Sequence, residues 1–230
     1  MRFSLTTAFI GAAALISSVT ADLYNRLDVS DAAFLFVDHQ TGLLNLVRDY
    51  KPDDYLNSIM GLAETAKYFN ASTILTTSRE DGPNGPMLPA LKEMFPDAPY
   101  IARPGQINAW DSDEFVKAVK KTGKKQLIVS GIVTDVCVTF VALSARKAGY
   151  EVFVVTDASG TFDEAVRTAS WMRMQEAGVQ LVNWFSVACE LARDWRTDIN
   201  GLANLFAKRM ISYAHVIESF NGAQAAIQGK

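Results

Sequence analysis

Histidine and cysteine are scarce in this chain. Its 230 residues include two of each: His39 and His215, Cys137 and Cys189. Two cysteines are too few for a disulfide framework or a four-thiolate zinc site. Two histidines exclude a site of three or more imidazoles and argue against a mixed metal site. Basic residues are not in excess either. Lys and Arg number 22 against 25 Asp and Glu, a formal charge of -3, so the electrostatic footprint of a nucleic-acid binder is missing. Phosphate and hydrolase signatures are also lacking. No G-x-G-x-x-G follows the first apolar run, where the chain reads Asp38-His39-Gln40-Thr41-Gly42, and no P-loop, G-x-S-x-G or H-E-x-x-H occurs. Dinucleotide enzymes, P-loop enzymes, elbow-type serine esterases and zincins therefore lose support, and no cofactor is implied.

What is present is ordinary globular composition, 49% hydrophobic and 20% charged with 14 Gly and 7 Pro, enough chain for one sizeable core. Residues 1–21 read as an address. Met1-Arg2-Phe3 precedes an apolar, small-residue run from Leu5 to Ile16, and Val19-Thr20-Ala21 supplies a small residue at the cut. This is the pattern of a secretory signal peptide cleaved after Ala21, leaving a secreted, extracellular chain of residues 22–230. The alternatives are a mitochondrial presequence, for which one arginine is thin, and a buried first helix. The run is too short to span a bilayer and nothing later approaches ~20 apolar residues, so no membrane segment is expected. One sequon, Asn70-Ala71-Ser72, precedes a predicted strand.

Beyond residue 21 the pattern alternates. Continuous apolar or β-branched runs at 32–37, 73–77, 126–130, 151–156 and 179–182 suit strands buried on both faces of a parallel sheet. Between them lie segments of helical spacing. One covers 54–69; another begins after Asp111, a candidate N-cap; a third covers 136–148 and ends at Gly149; a fourth covers 161–177 and ends at Gly178. After Asn183 the pattern is helical to about Phe206, and residues 222–230 look loosely held. The stretches Asp81–Pro86 and Arg103-Pro104-Gly105 read as loops. Strand–helix alternation without a composition shift predicts a single three-layer α/β/α domain around an open, mostly parallel, Rossmann-like sheet.

In such sheets ligands bind outside the carboxyl ends of the strands. Asp38 closes the first strand, Arg103 lies before Pro104-Gly105, and Cys137 lies between a strand and a helix. A cysteine at a helix N-terminus feels the positive dipole end, which favours thiolate. Beside an arginine and a carboxylate it would be a nucleophile with a charge stabiliser and a proton acceptor, and the turn's backbone N–H groups could hold an oxyanion. The residues alone leave other roles open. Cys137 could fill core, Asp38 could cap a turn, Asp135 could be an N-cap, and His39 and Trp110 could line either pocket or core. Cys189 reads as core, and a Cys137–Cys189 disulfide would remove the nucleophile.

These strand-end residues resemble the isochorismatase-like cysteine hydrolase superfamily, and most closely its YcaC-type branch. The matching stretches include Val37-Asp38-His39-Gln40, Pro83-Asn84-Gly85-Pro86, Phe95–Gly105, Asn108-Ala109-Trp110-Asp111, Val136-Cys137-Val138, Asp157–Phe162 and Cys189-Glu190-Leu191. They span roughly residues 24–219. The resemblance implies a sheet of about six strands and a catalytic triad of Asp38, Arg103 and Cys137. It also implies a non-proline cis peptide at Ile132–Val133 and an oxyanion hole from the Val133 and Cys137 N–H groups. His39, Asn108 and Trp110 are the candidate substrate-binding residues. The implied reaction is thiolate attack on a small-molecule amide, with Asp38 passing the thiol proton to the leaving amine and water cleaving the thioester. Most of the superfamily has lysine where this chain has Arg103, whereas the YcaC-type branch has arginine. Guanidinium stays protonated and can stabilise charge without shuttling protons. The nicotinamidase branch places several histidines between the first two triad members. Only His39 stands there, which disfavours a metal and nicotinamidase activity. Isochorismate hydrolysis, a vinyl ether cleavage, and an oligomeric scaffold with little turnover are the alternatives. The branch also suggests homo-oligomers, up to octamers.

Overall fold

The computed structural model describes residues 24–229. The expected signal peptide, residues 1–21, lies outside the described residues. Six strands form one sheet: β1 Ala32–Val37, β2 Ser72–Ser78, β3 Tyr100–Arg103, β4 Gln126–Ile132, β5 Glu151–Gly160 and β6 Gln180–Val182. Every pairing is parallel, in the order β3-β2-β1-β4-β5-β6. The expected three-layer α/β fold is therefore what the chain adopts. Helices α1 (Pro52–Tyr68), α2 (Pro89–Met94), α3 (Asp113–Lys121), α4 (Thr139–Lys147), α5 (Glu164–Glu176), α6 (Trp184–Ala192), α7 (Ile199–Arg209) and α8 (Ile211–Gln228) follow the strands.

Strand β1 shows why this sequence makes a two-faced core. All six residues are buried. Side chains alternate along a strand, so Ala32, Phe34 and Phe36 join one core with Ile59, Leu62 and Trp184. Ala33, Leu35 and Val37 join the other with Phe115, Val141 and Met174. Glycine permits two close approaches. A Cβ on Gly61 would meet the Trp184 ring at 2.8 Å, so α6 can lie on α1 only because none is there. A Cβ on Gly131 would collide with the Val37 carbonyl, its register partner on β1. Tyr55 ties the layers together. Its fully buried hydroxyl donates to the Gly131 carbonyl (3.3 Å) and accepts from the Gly160 N–H (3.1 Å), bracing the carboxyl ends of β4 and β5.

Several local expectations are corrected. Tyr100–Arg103 is a strand, so Arg103 closes β3 rather than sitting in a loop. Ser112, not Asp111, caps α3, its hydroxyl accepting from the Phe115 N–H. Asp163 caps α5, which starts at Glu164 rather than at Thr161. The helical stretch after Asn183 is broken at Arg193, whose φ is +62°. Residues 222–228, expected to be loosely held, continue α8. The sequon residue Asn70 lies exposed in the turn before β2.

Candidate active site

The strand order reverses direction between β1 and β4. A crevice forms at such a switch point outside the carboxyl ends. Asp38 follows β1 directly, and Cys137 follows β4 after a short turn. Arg103 ends β3, at the same edge. Topology alone thus gathers the three residues expected to form the triad. Asp38 has a left-handed backbone, φ +56°, a conformation aspartate tolerates better than most residues. The turn takes its carboxylate out of the strand's alternation.

Arg103 and Asp38 form a buried ion pair, guanidinium Nη2 on carboxylate Oδ1, with both side chains fully excluded from solvent. Other acceptors hold the guanidinium in place. Nε donates to Thr76 Oγ1 (3.0 Å), and Nη1 donates to the carbonyls of Gln106 and Ile107. Thr76 in turn donates to the Ile101 carbonyl (2.8 Å). Thr76 and Gln106 are site residues that sequence reasoning missed. Neither type signals chemistry; position at a strand's carboxyl end was the available cue for Thr76.

Cys137 sits in a single π-helical turn, Thr134–Val138, that leads into α4. Such turns recur at functional sites. The expected helix N-terminus at 136 is thus replaced by a wider turn, and Asp135 is not its N-cap. The Asp135 carboxylate instead accepts from the Thr161 hydroxyl (2.7 Å). The Ile132–Val133 peptide is cis. The Cys137 thiol lies against the Asp38 carboxylate, and the Val133 N–H points at its sulfur. Burial, then the Asp38 charge, pushes the thiol well above its ordinary range. The Val133 N–H and Arg103 oppose the shift without cancelling it. Dipole-favoured thiolate, the expectation from sequence, is therefore not the resting form. Asp38 is also raised by burial, against the pull of Arg103 and Cys137. Asp38 Oδ2 carries no hydrogen bond among the described residues. A buried thiol beside a carboxylate with an open lone pair has the geometry to act as a nucleophile, its proton having one short path to take.

The other candidates sit apart from this cluster in the hydrogen-bond network. The fully buried His39 ring bonds Ser130 Oγ through Nε2 (3.0 Å) and tilts against Phe36. Burial holds its pKa down to about 3, so it is neutral. Asn108 caps its own turn, accepting from the Trp110 N–H (3.1 Å), and donates to Ser144 (3.1 Å). The Trp110 indole packs edge-on against Phe115 and Tyr150. Cys137 and Cys189 are free thiols, so no disulfide removes the nucleophile.

Replacing Asp38 with asparagine removes the charge that helps hold the thiol up and leaves Arg103 unpaired beside it. The pH profile of Cys137 alkylation should move to lower pH in Asp38→Asn; an unmoved or higher midpoint would contradict the arrangement. His39 gives a second test. Its unfolded value is ~6.5, so the native state binds fewer protons and stability is lost as pH falls from about 6.5 towards 3. The slope reaches about 1.4 kcal/mol per pH unit. Asp38, Asp49 and Asp157, all raised by burial, act in the opposite sense. The difference between wild type and His39→Gln in urea midpoints across this window therefore isolates His39. Parallel curves would show that the ring is not buried neutral.

Comparison with known proteins agrees with this geometry. The isochorismatase domain model matches residues 32–185. The probable hydrolase YcaC of Escherichia coli K12 is 62% identical over 198 residues, 86% of this chain and 95% of the relative. Its crystal structure, described as an octameric hydrolase of unknown specificity, superposes with a TM-score of 0.86 and covers 87% of this chain and 98% of that one. YcaC from Pseudomonas aeruginosa, 64% identical with a TM-score of 0.85 over 86% of this chain and 98% of that one, was solved with hexane-2,5-diol and covalent acrylamide. The chain belongs to the isochorismatase family, as a YcaC-like hydrolase.

Proposed function

We propose that this hydrolase cleaves a small-molecule amide or related C–N bond through a Cys137 thioester. The observation that carries the reading is the buried Asp38 carboxylate, held on one oxygen by Arg103 and facing the Cys137 thiol. The sulfur attacks the substrate carbonyl carbon as Asp38 takes the thiol proton. The Val133 and Cys137 N–H groups stabilise the oxyanion. The C–N bond then breaks, and Asp38 gives its proton to the leaving amine. Water adds to the thioester, releasing the acid and restoring the thiol. Arg103 keeps Asp38 ionised and placed, and transfers no proton itself. The Pseudomonas relative with covalent acrylamide supports the nucleophile half of this reading, because acrylamide is captured at its β-carbon by a reactive nucleophile such as a thiolate.

The working form is a homo-oligomer, in keeping with the octameric relative. Residues 1–21 direct secretion, with Asp22 as the first residue of the mature chain.

Cys137→Ala should lose roughly 10^3-fold or more of whatever amide turnover a library screen finds, with circular dichroism unchanged. Intact-mass spectra should show one acrylamide adduct on wild type, mapped to Cys137 and lost in the variant. Undiminished turnover in Cys137→Ala would sink the thioester route. Secretion is tested separately by N-terminal sequencing of protein from the culture medium. Asp22 is expected, and a chain retained in cells with Met1 intact would refute it.

A further inference from the structure

The turn that carries Cys137 is weakly held by its own backbone. Within Thr134–Val138 the Val136 and Val138 N–H groups share one acceptor, the Val133 carbonyl, at 3.3 and 3.2 Å. Both lie at the long end for an amide–carbonyl bond, and a π-turn is a rare, wide insertion in a helix. Cys137 apart, one side chain of the turn bonds outside it among the described residues. That side chain is Asp135, whose Oδ1 accepts from the Thr161 hydroxyl at 2.7 Å.

Thr161 is a fixed post. It follows β5 directly, and the strand partners Ile132 and Gly160 bring the two segments out of the sheet side by side. The residue is fully buried and every polar group on it is engaged. Its N–H donates to Asp49 Oδ1 (2.8 Å), and its carbonyl accepts from the Arg48 N–H (2.8 Å) and the Asp49 N–H (3.3 Å). Arg167 of α5 holds Asp49 in turn, donating to its carbonyl (2.9 Å) while lying over the Tyr50 ring (4.9 Å to the ring centre). The post is thus braced from β5, from α5 and from the segment before α1.

We propose that the Thr161–Asp135 hydrogen bond sets the position of Cys137, which makes Thr161 and Asp135 positioning residues for the reaction. The inference rests on the reading of Cys137 as the nucleophile. One residue separates Asp135 from Cys137, so a shift of the carboxylate passes through a short turn to the sulfur. A displacement of about 1 Å at a reacting atom can cost roughly 10^2-fold in rate. The charged groups that face Cys137 are Asp38 and Arg103. A turn freed from its post lets the thiol drift from the Asp38 carboxylate towards water. Burial and that carboxylate are what hold the proton on sulfur, so the freed thiol ionises more readily and meets the substrate less well.

Thr161→Val tests this without changing any charge. Its kcat for an amide found by screening should fall roughly tenfold or more, with KM moving by less than about twofold. The midpoint of Cys137 alkylation should move to lower pH. Thr161→Ser keeps the donor and should restore both. In a double-mutant cycle Thr161→Val, Asp135→Ala and the pair should share one reduced kcat, because each removes the same bond. Ser112→Ala, which removes the α3 cap, should lower the melting temperature and leave the alkylation midpoint in place. A folded Thr161→Val with wild-type kcat and midpoint overturns the proposal. So do additive losses in the cycle, or a midpoint that moves as far in Ser112→Ala. If valine does not fold at 161, Asp135→Ala is compared with Asp135→Asn, which drops the charge but keeps the acceptor. Alanine alone should then lose kcat, and equal kcat overturns the proposal. If no amide is turned over, the amide reading fails and the alkylation midpoint decides the rest. A shift in Thr161→Val that serine reverses upholds the positioning role, and an unmoved midpoint overturns it.

Discussion

A charged pair with no access to water sits at the centre of this molecule. Removing Asp38 and Arg103 from solvent carries a desolvation penalty of several kcal/mol per ion. Their attraction offsets it only when most of the remaining donors and acceptors find partners, and here only Asp38 Oδ2 of the carboxylate is left open. The surroundings follow from that requirement. Thr76 lies under Nε, the Gln106 and Ile107 carbonyls lie under Nη1, and the cysteine faces the carboxylate. Breaking such a pair by removing one member typically costs about 3–5 kcal/mol. Arginine suits the position better than lysine, because only a planar fork reaches three directions at once.

The same burial decides where the proton rests. A thiol at an exposed helix N-terminus would lean towards thiolate. Here burial and the neighbouring carboxylate outweigh the Val133 N–H and the guanidinium, and the proton stays on sulfur. An uncharged sulfur beside the ion pair leaves a single buried negative charge for Arg103 to balance. Ionising both acids would put two negative charges against one positive.

Most of the fold, and the three strand-end residues that the structure brings together, were visible in the sequence for different reasons. Strands β1, β2, β4 and β5 have two buried faces and declare themselves as apolar runs. Strand β3 does not. It has four residues with Pro99 before it and Pro104 after it, and its last position is an arginine, so the local pattern reads as loop. Tertiary pairing with β2, which places Ser78 beside Arg103, overrides that signal. The π-turn at Cys137 was likewise invisible, since Thr134–Val138 has the composition of an ordinary helix start. Thr76 and Tyr55 were missed because one hydroxyl among many carries no mark until the fold brings it to a strand end. Asp38, Arg103 and Cys137 stood out as polar or reactive residues beside apolar runs, but each also had an ordinary packing or capping role open to it, and only the family resemblance grouped them as a triad.

The closed site also orders the proposed reaction in time. Asp38 starts as a carboxylate and receives the thiol proton as the carbon–sulfur bond forms. If it kept that proton, the leaving amine would depart as a strongly basic anion and the arginine would lose its counter-charge. Transfer to nitrogen removes both problems in one step and returns the carboxylate to Arg103. When water then enters to meet the thioester, the group beside it is again a base. One carboxylate thus serves both halves of the cycle. The ion pair that the fold strains to bury is intact at the beginning and at the end of each half.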